Sequence, residues 1–278
     1  PVQSPTPSVF YRDGWWYMIS GNEVGSFNGY VYNDATDTWS QNKTINKTLT
    51  SSGYQTSYPS VFYKEGWWYI ITGDFNDNFK GWVSSNTTYA WTANTTIANS
   101  LSTSSASRST PTVFYKDGWW YLINGHYDVP GGFDGFVYDD TAHTWSQNKT
   151  INASLPSWTG YKFPTVFQKD GWWYMLSGKT SAGLDGYVYN DATHTWSANT
   201  TINASIPPVD NYMTPSVFQK DGYWYLISSE ENSLIGSYSG FVYIDAVGDT
   251  EKPQFSGYWD NNNSDGNGIG YFNTTVTS

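Results

Sequence analysis

The chain has 278 residues, of which 38% are hydrophobic and 19% aromatic, and it carries a net charge of -11 with a pI near 4.4. That apolar content supports a large folded core and excludes a disordered chain, while the acidic balance argues against nucleic acid or an anionic membrane surface as partner, since Lys and Arg supply that affinity. Cysteine is absent, which excludes disulfides, thiol catalysis and Cys-ligated metal sites, and no apolar run approaches the ~20 residues needed to span a bilayer.

In chain order, one motif recurs. It begins at Pro7 (PSVFYRDGWWYMISG), Pro59 (PSVFYKEGWWYIITG), Pro111 (PTVFYKDGWWYLING), Pro164 (PTVFQKDGWWYMLSG) and Pro215 (PSVFQKDGYWYLISS). A period close to 50 residues means a repeat architecture. The first copy predicts four strands. Ser8 to Tyr11 is the first, and Arg12-Asp13-Gly14 is a tight turn. Trp15 to Ser20 is a continuous apolar run, as in a strand buried on both faces. Residues 29 to 33 form a third strand and 33 to 38 a second turn. Trp39 to Leu49 reads as a polar, β-branched fourth strand. No helical period is visible, so the prediction is an all-β, five-bladed β-propeller spanning residues 1–248; a two-sheet sandwich would not need identical turns at identical spacing.

In such a ring the first strand of each blade lines the axis and the fourth lies on the rim. The two turns fall together on one face and vary little. The other connections, at 21–28, 73–80, 125–134, 178–185 and 228–239, fall with the inter-blade loops on the opposite face, and they vary. A rigid scaffold with variable loops on one face is the usual layout of a binding surface. Candidate contacts there are Trp158 and Tyr161, which lie outside the repeat register, the His126-Tyr127-Asp128 run, Asp74 and Glu23. The repeated Trp-Trp-Tyr triplets read instead as blade-to-blade core.

Ten Asn-X-Ser/Thr sequons mark candidate N-glycosylation sites: Asn42, Asn46, Asn86, Asn94, Asn148, Asn152, Asn199, Asn203, Asn262 and Asn273. The pairs Asn42/Asn46, Asn148/Asn152 and Asn199/Asn203 are four residues apart, so on the predicted fourth strand both members point to one side. No metal or cofactor is expected. His126 and Asp128 lack a third ligand. The oxygen-rich runs at 74–78 and 260–268 suit calcium in composition but lack EF-hand spacing; turn formation accounts for both.

The fifth copy leaves the pattern after residue 244. Residues 249–278 are predicted to form a linker and the first strands of a new module, and a chain starting at Pro1 reads as a mature or excised piece. Asp249-Thr-Glu-Lys-Pro253, then Gly-Tyr-Trp-Asp and Tyr-Phe-Asn-Thr-Thr-Val-Thr, resembles the opening of Ig-like β-sandwich modules in archaeal, especially methanogen, cell-surface proteins.

The Val-Phe-Tyr-Lys-Asp-Gly-Trp-Trp-Tyr unit resembles the inner strands of five-bladed propellers in arabinanase- and furanosidase-type glycoside hydrolases, and those of tachylectin-like lectins. In the hydrolases an acidic residue precedes a first-strand proline and acts as general base; here that slot holds Thr6, Tyr58, Thr110, Phe163 and Thr214. Glycoside hydrolysis needs two carboxylates flanking the bond. The variable face offers Glu23, Asp74, Asp77, Asp128, Asp210, Glu230 and Glu231, none of them recurring in the inner strand. The expected function is therefore non-enzymatic: an extracellular, cell-surface component of a surface layer, filament or adhesin that recognises copies of itself, other surface proteins or glycans through the variable face. The alternatives are a carbohydrate-binding lectin-like propeller and a furanosidase-type hydrolase.

Overall fold

The computed structural model describes residues 6–21, 25–49, 58–73, 78–101, 109–126, 132–156, 162–178, 183–204, 214–229, 238–244 and 254–259. Five four-stranded antiparallel sheets are arranged as the blades of a propeller. Blade 1 comprises β1 (Thr6–Arg12), β2 (Trp15–Gly21), β3 (Phe27–Asn33) and β4 (Thr38–Gln41), followed by helix α1 (Lys43–Thr48). Blade 2 comprises β5 (Tyr58–Lys64), β6 (Trp67–Gly73), β7 (Phe79–Ser85) and β8 (Thr92–Ala93). Blade 3 has β9 (Ser109–Lys116), β10 (Trp119–His126), β11 (Phe133–Asp139), β12 (Thr144–Gln147) and helix α2 (Lys149–Asn152). Blade 4 has β13 (Phe163–Lys169), β14 (Trp172–Gly178), β15 (Leu184–Asn190), β16 (Thr195–Ala198) and helix α3 (Thr200–Ala204). Blade 5 has β17 (Thr214–Lys220), β18 (Tyr223–Ser229), β19 (Tyr238–Ile244) and β20 (Gln254–Trp259).

The repeat motif builds each inner hairpin. Its Asp/Glu-Gly pair takes positive φ at both residues, 50° at Asp13 and 86° at Gly14, and likewise at residues 65–66, 117–118, 170–171 and 221–222. Positive φ at both central positions is the type I′ turn, whose twist matches that of the flanking strands. The inner strands contact one another in sequence, and β1 also meets β17, closing the ring. The hydroxyl after the motif proline serves the neighbouring blade: the N–H of Val61 donates to Ser8 Oγ (3.1 Å), Val113 to Ser60 (2.9 Å), Val166 to Thr112 (3.4 Å) and, across the closing seam, Val9 to Ser216 (3.1 Å).

Each seam is filled by the same aromatic pair. The second Trp of one blade packs on the Phe of the preceding one: Trp68 on Phe10, Trp120 on Phe62, Trp173 on Phe114, Trp224 on Phe167 and Trp16 on Phe218, at centroid distances of 4.9, 5.2, 5.4, 5.4 and 5.0 Å. Such pairs stabilise by about 0.5–1.5 kcal/mol each beyond their burial. The first Trp of the triplet departs from the core reading: Trp15, Trp67, Trp119 and Trp172 are about half exposed. Next to the hairpin turn the strand has run past the hydrophobic seam.

Ion pairs reinforce the turn face. Lys64 pairs with Asp140 of the next blade (2.6 Å), Lys116 with Asp191 (2.5 Å) and Lys220 with Asp34 across the closing seam (2.7 Å). In blade 1 the guanidinium of Arg12 donates instead to the carbonyls of Ser85 (2.6 Å) and Thr88 (2.7 Å).

Two sequence expectations change. First, the run after the Thr-Trp slot is a four-residue strand followed by a helical turn. The sequon asparagine caps that turn: Asn42 Oδ1 accepts from the N–H groups of Thr44 and Ile45, Asn148 Oδ1 from Thr150 and Ile151, and Asn199 Oδ1 from Thr201 and Ile202. Asn94 does the same for Ile97 in blade 2. The period is 3.6 over one turn only, too short to see against a polar strand. The capped turn swings Ile45 onto the glycine of β3, where a Cβ on Gly29 would collide with the Ile45 side chain. Asn46 and Asn152 then bond back to β3 and β11, through the Gly29 N–H (2.5 Å) and the Phe133 carbonyl (2.5 Å). The paired asparagines therefore have distinct positions on a helical turn.

Second, Gln254–Trp259 pairs with β19 as the fourth strand of blade 5. The propeller thus runs past the boundary drawn at residues 248/249, and one continuous chain supplies all five blades. Residues 260–278, with Asn262, Asn273 and the expected Ig-like module, lie outside the described residues.

Candidate functional site

The strand ends at the variable face converge on the propeller axis. Register places Thr6 opposite Gly21, Tyr58 opposite Gly73, Thr110 opposite Gly125, Phe163 opposite Gly178 and Thr214 opposite Ser229. All five first-strand residues are buried. Tyr58 and Phe163 come from non-adjacent blades, and their rings meet across the axis at 5.5 Å. Thr110 Oγ1 lies 2.6 Å from the Lys162 carbonyl and 3.1 Å from that of Gly125, and the Thr214 and Ser229 hydroxyls are 2.5 Å apart. The slot where the resembling hydrolases carry a base thus holds buried hydroxyls and aromatic rings.

Ionisable groups gather beside that slot, in the seam between blades 3 and 4. His126, the last residue of β10, is 1% exposed. Its Nε2 lies 2.9 Å from Asp134 Oδ2 on β11; a carboxylate can only accept, so Nε2 donates. The His126 carbonyl accepts from the N–H of Lys162 at 3.0 Å. The Lys162 side chain is buried, with Nζ 3.5 Å from Asp185 Oδ2 on β15. The side chains of Asp134 and Asp185 keep 16% and 31% of their surface exposed, so both carboxylates reach the seam's opening. Next to them Asn124 Nδ2 donates to Ser109 Oγ at 3.3 Å. Two polar atoms here, His126 Nδ1 and Asn124 Oδ1, are buried with no hydrogen-bond partner among the described residues. An unsatisfied buried polar atom costs about 1–3 kcal/mol; the same feature recurs at Trp39 Nε1, Trp82 Nε1 and Asn152 Oδ1.

Of the contacts expected from sequence, only His126 lies within the described residues, and it is a buried member of this cluster rather than an exposed loop contact. Glu23, Asp74, Tyr127, Asp128, Trp158 and Tyr161 lie outside them, as do Asp77, Asp210, Glu230 and Glu231. Sequence reasoning missed Asp134, Lys162 and Asp185. The available signal was the slot before the third-strand glycine, occupied by Asn28, Lys80, Asp134, Asp185 and Ser239. It is the point where an invariant strand becomes individual. Among the described residues no three His, Asp or Glu side chains group as metal ligands.

No family model matches the chain, and no curated protein matches it in sequence. Solved structures do match in fold. An α-L-arabinofuranosidase from Clostridium thermocellum superposes with a TM-score of 0.65 at 13% identity, covering 91% of this chain and 93% of that one. A Xanthomonas citri GH43_1 enzyme complexed with xylose gives 0.62 at 12%, covering 91% and 90%. A Cellvibrio cellulosa α-L-arabinanase gives 0.59 at 13%, covering 92% and 96%. At this identity the likeness establishes the fold. It also corrects the expectation of a non-enzymatic surface component: these three solved structures, which share the architecture end to end, are of glycoside hydrolases, which moves the furanosidase-type alternative ahead. The chain has the five-bladed β-propeller fold of the GH43 arabinanases and arabinofuranosidases.

Proposed function

We propose that the protein is a glycoside-acting enzyme that cleaves an arabinosyl- or xylosyl-linked saccharide at the variable end of the propeller. The observation that carries this reading is the pair of carboxylates in the seam between blades 3 and 4, Asp134 bonded to His126 and Asp185 paired with Lys162. With Thr6, Tyr58, Thr110, Phe163 and Thr214 at the axial slot, no carboxylate stands there among the described residues, and in this reading the chemistry uses the carboxylates of the seam.

Hydrolysis of a glycosidic bond needs one group to protonate the departing oxygen and another to carry negative charge near the anomeric carbon or to activate water. In this reading Asp134, the more exposed member of the His126–Asp134 couple, hands a proton to the departing oxygen when the couple carries one proton more than a neutral imidazole beside a carboxylate. Asp185, its charge balanced by Lys162, is the anion. Thr110 and the backbone link between Lys162 and His126 hold the two couples at a common seam. The GH43 fold shared by the neighbours supports the reaction class, and the arabinosyl and xylosyl substrate classes follow from what those proteins are named for.

The test is turnover of aryl α-L-arabinofuranosides, aryl β-D-xylosides and arabinan by the purified chain. Asp185→Asn and Asp134→Asn should each lower kcat/KM by about 10²–10⁴ with the melting temperature held within a few degrees. No turnover of any of these substrates, or unchanged rates in Asp185→Asn, overturns the reading; binding without turnover counts against it equally. We infer with it a setting outside the cell, where polymeric glycans are met. Intact-mass measurement of protein from its native host should show glycans on the sequons, and an unmodified mass contradicts that setting.

A further inference from the structure

On the face opposite the His126 cluster the hairpin turns present a ring of aromatic side chains. Trp15, Trp67, Trp119, Trp172 and Tyr223 follow the turns, and Tyr11, Tyr63 and Tyr115 precede them; each is between 45% and 54% exposed. The preceding slot holds Gln168 and Gln219 in blades 4 and 5, where the same strands, turn and seam form. The scaffold therefore does not require tyrosine at this slot, and the tyrosines of blades 1–3 belong to the surface.

At one seam these side chains border an open pocket. Between blades 2 and 3 a cavity of about 440 Å³ opens on this face, lined by Tyr63, Tyr115 and Trp120 together with Lys64, Glu65 and Asp140. Tyr115 is braced against Trp120 at a centroid distance of 5.0 Å, and Tyr63 against Trp68 at 5.1 Å. The Tyr63 hydroxyl accepts from Asn86 Nδ2 at 3.0 Å. Lys64 Nζ is clamped between Asp140 (2.6 Å) and Glu65 (3.1 Å), while those two carboxylates remain 49% and 77% exposed. Glu65 stands where the other four blades have Asp.

We propose that this seam is a saccharide-binding site, separate from the one assigned to catalysis, that takes a neutral sugar unit of a longer chain. Pre-oriented aromatic faces stack on the C–H faces of a pyranose or furanose ring. The exposed oxygens of Glu65 and Asp140 accept from sugar hydroxyls, in charge-assisted hydrogen bonds roughly twice as strong as neutral ones. Two carboxylates repel an anion, and the Lys64 ammonium held between them repels a cation, so the pattern favours a neutral ligand. The cavity volume lies within the range of small-ligand sites.

The test uses the whole chain, with calorimetric titration of xylohexaose, arabinohexaose and cellohexaose. The double variant Tyr63→Gln/Tyr115→Gln places the residue found in blades 4 and 5 at both positions, so the fold should hold and the melting temperature stay within a few degrees. Affinity for at least one oligosaccharide should fall tenfold or more, while turnover of a small aryl glycoside is unchanged. Three results overturn the proposal: no oligosaccharide binds the unaltered chain at millimolar concentration, the double variant binds every one of them with unchanged affinity and stoichiometry, or sedimentation shows self-association that the double variant abolishes. Because turnover of the small substrate reads the other face, failure here and failure of the catalytic reading are distinguishable.

Discussion

Replacing Asn148 with alanine removes the carboxamide oxygen that accepts from the backbone N–H groups of Thr150 and Ile151, each at 3.0 Å, at the start of α2. Loss of such a cap costs about 0.5–2 kcal/mol. The upper half of that range is expected here, because the orphaned Ile151 N–H is partly shielded and Ile151 itself is buried between blades 3 and 4. Its carbonyl also accepts the indole N–H of Trp196 at 2.8 Å, so a displaced turn disturbs the next blade as well. At about 2–4 °C per kcal/mol for a domain of this size, a loss of ~1–2 kcal/mol lowers the melting temperature by about 2–8 °C. The control is internal to the motif. Thr150→Ala destroys the same Asn-Lys-Thr sequon but leaves the cap, and Thr150 is exposed; Asn148→Asp destroys the sequon and keeps the accepting oxygen. Scanning calorimetry on protein made without glycosylation should show the drop for Asn148→Ala alone. Equal shifts for Asn148→Ala and Thr150→Ala, or none for either, refute the assignment of this asparagine to the helical turn.

Two further outcomes follow from packing and titration. Gly81→Ala should cost about 3 kcal/mol or more in urea denaturation, because its Cβ would overlap both the Ile97 side chain and the Asn94 carbonyl; Gly118→Ala, at φ +87° but facing open space, should cost only about 1–2 kcal/mol, and equal costs would show that the close approach in β7 is not what selects glycine. Burial, with Tyr89 adding to it, pushes Tyr17 up to about 12, and burial raises Tyr30 and Tyr121 above the usual phenol range; burial opposes the Lys64 and Lys116 charges, but hydrogen bonds to Asp140, Glu65, Asp117 and Asp191 outweigh it and raise both. A pKa raised on folding contributes stability that is complete below the unfolded value and is lost as pH rises toward the folded one. The melting temperature should therefore hold from pH 7 to 9 and fall once the pH passes about 10, where unfolded tyrosine ionises; a flat profile through pH 11 would contradict this.

The five copies from Pro7 to Pro215 were enough to derive the number of blades, the inner hairpins and the aromatic seams, because each depends on residues near in sequence: the Asp-Gly pair sets the I′ turn, and the run after it sets the strand. The fate of the polar run after the Thr-Trp slot was not legible. Whether Asn42 extends a strand or caps a turn depends on Ile45 finding the glycine of β3, a contact that exists only after the sheet has formed. The closing strand was hidden for a related reason: Gln254–Trp259 shares no motif with the other fourth strands and is identified only by its pairing with β19. Of the candidate site, His126 alone was named beforehand. Asp134 reaches His126 through the β10–β11 hairpin, where it pairs with Asn124, and the individual slot before the third-strand glycine marks Asp134 and Asp185 without saying what they face; Lys162 joins them only at the seam between blades 3 and 4, through its backbone link to His126 and its ion pair with Asp185. The sequence by itself determined the repeating unit, since every copy encodes the same local turn and the same buried faces. Only the tertiary structure decided which non-repeating side chains become neighbours, because neighbours across a seam are set by ring closure rather than by spacing.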